Sequence, residues 1–193
     1  VPASVPVDNP AQPANSPIQG VVLLSSNTAL RTNSGRAYAG RVELEGDDIR
    51  IESGTLIEAK GAKKGGVVLV GGDWQGSGTM RQATSVSMSA DSLIDASASD
   101  FGDGGKVVLW SEVANDQSVT TVSGRIFARG GVNGGNGGQV ETSGYELRLG
   151  DKVAVSTKAF LGQDGEWLLD PNDIVITDPS WTGFNYATSG NTT

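Results

Sequence analysis

Residues 123–170 read SGRIFARGGVNGGNGGQVETSGYELRLGDKVAVSTKAFLGQDGEWLLD, a stretch that states one structural unit and then begins it again. Ile126 and Ala128 alternate around Phe127. A Gly/Asn run follows, then Val140 and Thr142 around Glu141, and after Ser143 and Gly144 come Leu147 and Leu149 around Arg148. Each piece has the length and alternation of a short strand ended by a turn. The second pass supplies Val153 and Val155, a turn over 162–165, Trp167 and Leu169, a turn over 170–172, and Ile174 and Ile176. Val140 and Trp167 are 27 residues apart, as are Leu147 and Ile174.

Working outward, the same unit recurs along the chain. Segments of one kind directly follow a glycine: 41–44, 67–70, 106–109, 139–142 and 166–169. A second kind comes after a turn, at Ile49 and Ile51, Val86 and Met88, Thr120 and Val122, Leu147 and Leu149, Ile174 and Ile176. A third lies before the next first, at Ile57 and Ala59, Ile94 and Ala96, Ile126 and Ala128, Val153 and Val155. Between Ile49 and Leu169 the positions of inward parity are apolar except Thr120 and Thr142. The positions between them include Arg50, Glu58, Ser87, Asp95, Thr121, Glu141 and Arg148, which are expected to face water.

A single coil of three strands has no opposite layer on which to bury its apolar side, so coils must stack until like side chains form columns. The predicted fold is all-β: a right-handed parallel β-helix, a solenoid of about five coils with three short strands each and almost no helix. With strands about 4.8 Å apart, such a stack is a rod only ~24 Å long with unpaired strand edges at both ends. The expected organisation is a Pro-rich linker over 1–17, which holds five of the seven prolines, the solenoid over 18–178, and a tail or the start of a next module over 179–193.

Composition narrows the function classes. The 193 residues include 28 glycines and are 37% hydrophobic, as a turn-rich folded domain requires. Cysteine and histidine are both absent, which removes disulfides, thiol and imidazole chemistry and the usual zinc ligands; no cofactor and no metal site is expected. Fourteen Lys and Arg against 22 Asp and Glu give a net charge of -8, which argues against nucleic acid as a partner. No apolar run approaches the length of a membrane-spanning helix. With no initiating Met or charged leader, the chain reads as an excised soluble piece whose address signal, if any, was upstream.

The spacing also marks where the chain departs from its minimum. Five residues separate Leu44 from Ile49, Thr142 from Leu147 and Leu169 from Ile174, but 16 separate Val70 from Val86 and 11 separate Leu109 from Thr120. Both insertions leave from the same corner, and corner loops of a solenoid are where recognition surfaces arise. Trp74 and Gln75 in the first, Glu112 and Asn115 in the second, and Trp110 beside it are therefore candidate binding residues. On the outward side of the glycine-led strands, Leu69, Val108 and Leu168 are more apolar than a solvated face needs, so something covers them. An intramolecular cover, by the Trp74 insertion or the segment 179–186, competes with an external partner.

Other motifs have simpler readings. The run GGVNGGNGG (130–138) lacks the Lys-Ser/Thr and helix of a phosphate-binding loop and reads as a coil corner using glycines of positive φ; the regular aspartate of calcium-binding glycine repeats is missing from it. Asp100-Phe101-Gly102-Asp103 reads as a turn. Asp47 with Asp48, and Asp170 with Asp173, are carboxylate pairs of the kind that polysaccharide-cleaving β-helix enzymes use, yet both precede an Ile-x-Ile strand, where Asp caps turns. The sequon at Asn191 stands at the chain end.

Gly134–Gly144 (GGNGGQVETSG) and 165–176 (GEWLLDPNDIVI), with the matching GGVVLVGGDWQG and GDGGKVVLWSE, resemble the β-helical passenger of filamentous-haemagglutinin-type exoproteins secreted by the two-partner pathway, the high-molecular-weight adhesins above all. The resemblance covers roughly Val42 to Ile176. It implies a long extracellular β-helix exported through an outer-membrane β-barrel partner, a monomeric rod at the bacterial surface or secreted, binding host cells, matrix or polysaccharide, without enzymatic activity. The Asn-Pro-Asn motif of that family's secretion module is represented here only by Asp170-Pro171-Asn172-Asp173, which implies a segment lying after that module. Two other function classes stay open beside a surface-adhesin shaft: a polysaccharide lyase or hydrolase on the same scaffold, which would need converging acidic and basic groups, and a module that captures one host protein through the corner loops.

Overall fold

The computed structural model describes residues 21–24, 29–31 and 40–176, so the expected linker 1–17 and the segment 179–193 lie outside the described residues. Among the described residues the chain is all-β, with one turn of 3-10 helix at Trp74–Gly76. In chain order the strands are β1 (Val21–Leu24), β2 (Ala29–Arg31), β3 (Arg41–Leu44), β4 (Asp48–Ile51), β5 (Leu56–Glu58), β6 (Val67–Val70), β7 (Ser85–Met88), β8 (Leu93–Asp95), β9 (Lys106–Trp110), β10 (Val119–Val122), β11 (Arg125–Phe127), β12 (Gln139–Leu149), β13 (Ala154–Ser156) and β14 (Glu166–Ile176).

Each strand pairs in parallel with its counterpart one repeat away. One ladder runs β3, β6, β9, β12 and β14, a second β1, β4, β7, β10, β12 and β14, and a third β2, β5, β8, β11 and β13. This is the pairing that stacked coils require. The two eleven-residue strands β12 and β14 stay paired through the corner at Ser143 and Gly144, opposite Asp170 and Pro171, and so join the first two ladders into one nine-stranded sheet. The corner after β3 has the same short spacing but is not a strand. Its neighbour in the next repeat is an insertion, which offers no extended partner.

Register places like under like. Val42, Val68, Val107, Val140 and Trp167 form one inward column, and Ile57, Ile94, Ile126 and Val155 another. These belong to one continuous core, fully buried from Ile49 to Val140 and half-buried at Val153, Val155, Trp167 and Leu169, which have no coil of described residues beyond them. The two inward threonines are satisfied. Thr120 Oγ1 donates to the Ser143 carbonyl at 2.8 Å, and Thr142 Oγ1 accepts from Trp167 Nε1 at 3.1 Å. Of the residues expected in water, Arg50 and Arg148 are exposed, but Glu141 and Asp95 are buried. Asp95 accepts from the Ser97 amide at 3.0 Å and faces Lys60 Nζ at 3.5 Å; Glu141 is covered by an insertion described below.

The corner leading into the first ladder explains the recurring Gly-Gly. The Gly66 carbonyl accepts from the Lys106 amide, that of Gly105 from Gln139, and that of Gly138 from Glu166, at 2.9 to 3.1 Å. A Cβ on the next glycine of the column would lie 1.9 Å from the Gly66 oxygen at Gly105, 2.0 Å from the Gly105 oxygen at Gly138, and 1.9 Å from the Gly138 oxygen at Gly165. No side chain fits at this spacing. Farther out in the same corner, Gly134 and Gly135 have φ of +143° and +121°, the positive values expected of the glycine run. Asp100-Phe101-Gly102-Asp103, expected as a turn, is a bend that carries a parallel bridge from Phe101 to Gly134, and its carboxylates tie to the next coil: Asp100 accepts from Asn133 Nδ2 and Asp103 from the Asn136 amide, both at 2.7 Å.

Gly105→Ala is expected to destabilise the chain by about 3 kcal/mol or more, because the new carbon can be accommodated only by parting two coils whose backbones are hydrogen-bonded to each other. Urea unfolding of the variant beside the parent chain measures it.

Candidate functional site

The first insertion begins and ends at one point. The Gly71 amide donates to the Leu44 carbonyl at 2.9 Å, and the Ala83 amide donates to the Gly71 carbonyl at 2.8 Å, so residues 72–82 form a closed excursion that leaves the ladder beneath it intact. Asp73 accepts from the Trp74 amide at 2.7 Å and opens the 3-10 turn. Within the turn Gln75 has φ of 51°, the one positive φ of a non-glycine among the described residues. That strained conformation aims its amide downward at Glu141 Oε2, 2.8 Å away and on β12.

Glu141 belongs to the outward column Glu43, Leu69, Val108, Glu141 and Leu168. It is fully buried, and its other oxygen accepts from Ser143 Oγ at 2.9 Å. Burial pushes its carboxyl above the ordinary value of 4.5; the hydrogen bonds from Gln75 and Ser143 oppose that rise, the Asp170 charge adds to it and Lys106 opposes it. A carboxylate is thus held among aliphatic neighbours by the insertion it anchors.

Around this latch lies a second apolar cluster. Leu69, Val108 and Trp110 are buried, with Val67, Trp74, Met80 and Val113 packed against them. The Trp110 indole lies under the insertion, where Cβ atoms on Gly72 and Gly76 would come within 2.5 and 2.6 Å of its ring; its Nε1 donates to Gln82 Oε1 at 3.0 Å. Lys106 Nζ sits 4.9 Å from the centre of the Trp74 ring. An Arg81 to Asp47 ion pair closes one flank, so Asp47 serves as the insertion's partner rather than as a turn cap, and Asp48 pairs with Arg50. The second insertion adds Val113 to the cluster, and its carbonyl accepts from Asn172 Nδ2 of β14 at 2.9 Å.

The structure therefore brings Leu69, Val108, Trp74 and Trp110 together, but as packing within the chain, with Gln75 above them bound to Glu141 through its amide. Leu69, Val108 and Trp110 are not available as contact residues, because the insertions cover them from within the chain. Gln75 and Glu112 are exposed, Asn115 and Leu168 half-buried; Asn115 is held in a turn whose amide at Gln117 donates to Asn115 Oδ1 at 3.0 Å. Glu141, Lys106, Gln82, Val113 and Asn172 were not among the expected site residues. Only Glu141 carried a signal, as a charge standing in a column of aliphatic residues. Chemically the arrangement fixes a loop: its carboxylate is engaged as a hydrogen-bond acceptor on both oxygens.

No family model and no curated protein matches the sequence. Among solved structures the chain is similar to the HMW1 secretion domain from Haemophilus influenzae, with a TM-score of 0.56 and 28% identity over 79% of this chain. The match takes in 36% of that chain, so the segment spans about a third of it.

Two substitutions separate the roles of Glu141. Glu141→Ala leaves the Gln75 amide without its acceptor and should cost about 1–3 kcal/mol, with faster hydrogen exchange at Gln75. Glu141→Gln keeps an acceptor and removes the buried charge. Because the native carboxyl titrates above its unfolded value, its stabilising protonated form is lost as pH rises through the folded pKa. Thermal melts should show the Gln variant at least as stable as the parent at neutral pH, with any advantage shrinking as pH falls through the raised folded pKa and levelling off below the unfolded value of 4.5.

Proposed function

We infer that this chain is a segment of the secretion region of a long exported bacterial surface protein of the filamentous-haemagglutinin type: a right-handed parallel β-helix of about five coils, delivered through an outer-membrane β-barrel partner. The observation that carries this is the likeness to the HMW1 secretion domain, at 28% identity over 79% of the chain, falling on a sequence whose Gly-Gly-x-Val-Glu-Thr-Ser-Gly and Trp-Leu-Leu-Asp-Pro phrases independently resemble that class of exoprotein. The missing Asn-Pro-Asn phrase argued for a shaft beyond the secretion module. The structural likeness, being to a secretion domain, favours the module itself.

In this reading the segment is a non-catalytic monomeric rod at the cell surface or in the medium. Attachment to host cells, matrix or polysaccharide is a property of the longer protein, with the exposed corner residues Gln75 and Glu112 and the half-buried Asn115 as this segment's candidate contacts. The stacked parallel ladders suit both parts of the task, because each added coil finds a template in the one before it as the chain emerges.

Deleting residues 40–176 from the longer protein should abolish its appearance in the medium when the transporter is co-produced, with the polypeptide retained on the periplasmic side. Continued export of the shortened protein would sink the secretion reading and return the segment to the shaft. A separate adhesion assay on the exported Gln75→Ala, Glu112→Ala variant tests the contact residues: unchanged attachment removes them from that role.

A further inference from the structure

Two of the four asparagines among the described residues, Asn133 and Asn136, stand directly before a glycine. The amide nitrogen of the following residue can attack the side-chain carbon of an asparagine and close a succinimide ring. A glycine in that place has no Cβ to hinder the approach and is free in φ. Both asparagines are exposed, so composition and exposure treat the two sites alike. Their hydrogen bonds separate them.

At 136 the reacting groups are held by the loops on both sides. The Gly137 amide, which would attack, donates to the Gln163 carbonyl at 2.8 Å, and Asn136 Oδ1 accepts from the Gln163 amide at 3.0 Å. From the other side the Asn136 amide donates to Asp103 Oδ1 at 2.7 Å, and its carbonyl accepts from the Gly104 amide at 2.9 Å. A Cβ on Gly137 would lie 1.7 Å from the Thr157 carbonyl oxygen, so the backbone has no room to turn. At 133 the asparagine sits in a turn closed by the bridge between Gly131 and Gly134. The Gly134 amide reaches only the Gly131 carbonyl of its own turn, at 3.2 Å, and a Cβ on Gly134 would meet nothing nearer than the Phe101 ring at 3.5 Å. Asn133 itself is tied to Asp100, amide to carbonyl at 2.9 Å and Nδ2 to Oδ1 at 2.7 Å. Opening this tip therefore breaks bonds inside one turn and to one neighbouring loop only.

We infer that Asn133 is a site of spontaneous deamidation, the point at which the glycine corner converts with time to a more acidic form that lacks one tie between coils. The Gly134 nitrogen gives up its proton and bonds to Asn133 Cγ, the Cγ–Nδ2 bond breaks, and ammonia leaves. Water then opens the ring at either carbonyl, giving an aspartate or an isoaspartate whose Cβ has entered the main chain. Water is the only co-reactant, and nothing is oxidised or reduced. Either product loses the Nδ2 donor and adds a negative charge beside Asp100, so an attractive contact between adjacent loops becomes a like-charge one. The isoaspartate also lengthens a turn whose two ends are bridged. The inference goes beyond the export reading and does not rest on it.

Incubation of the full chain in mildly alkaline buffer, with proteolytic digestion and mass spectrometry at intervals, tests it. Conversion to both products is expected at Asn133, about tenfold or more faster than at Asn136, whose peptide must first be freed from loops on both sides. In urea, where the chain is unfolded, the difference should vanish. No conversion at Asn133 in the folded chain, or equal rates at the two sites, overturns the inference, and so does a difference that persists in urea. Hydrogen exchange at the Asn133 amide reads the lost tie: it should be faster in Asn133→Asp than in the parent, and slow again when Asp100→Asn is added, which exchanges donor and acceptor. Unchanged exchange in Asn133→Asp overturns the loss of the tie.

Discussion

The structure depends on one constraint: a coil of three short strands has an apolar inside and nothing of its own to press it against. Only the coils above and below can bury it, and they do so in register, at the spacing of a parallel ladder. That spacing dictates the column of residues 66, 105, 138 and 165, where each carbonyl accepts from the next coil and the following backbone passes too close for a Cβ. Glycine here is a packing requirement, set by the distance between neighbouring turns of the chain. The larger insertion spares the stack in another way: the excursion from Gly71 to Ala83 closes on its own base and leaves the ladder beneath it unbroken.

What the insertions add is a second layer over part of one face. Aliphatic outward residues and two indoles form an apolar cluster that a bare solenoid would leave wet, and the single carboxylate among them binds the strained turn at Gln75. A buried charge in such a place is a poor source of stability and a good source of uniqueness, because only one seating of the insertion offers Glu141 both of its donors. The cover is therefore specified by polar geometry and stabilised by apolar area. Asn172 extends the same logic, tying the second insertion to the strand two coils further along.

Parity and spacing made the ladders legible, because an inward column repeats the same residue type at every coil: Ile57, Ile94 and Ile126 can hardly be read otherwise. The excess of apolar residues at Leu69, Val108 and Leu168 was also legible as a face in need of cover. Alternation gives the direction in which a side chain leaves the strand, however, and says nothing of what lies there. Glu141 and Asp95 point away from the core as their parity requires, yet Glu141 is buried by an insertion whose path depends on glycines at 72 and 76 and on the 3-10 turn, features with no period to read, and Asp95 is buried where it meets the Ser97 amide and Lys60. Trp74 and Trp110 are conspicuous in the sequence, but their roles, as roof and filling of the second layer, depend on the path of the insertion.

The two decorated corners differ in the one respect that bears on function. At the insertion corner the apolar side chains turn inward and are used up in covering the sheet, so what remains outside is polar and sparse, Gln75 and Glu112. At the glycine corner the loops are bonded from coil to coil instead of folding back over the sheet. Phe101, Val132, Phe160 and Leu161 therefore stand outward in a line, held there by a backbone whose hydrogen bonds already run along the stack. A stack of parallel strands built this way has one edge that is finished by its own chain and one whose apolar side chains stand outside it.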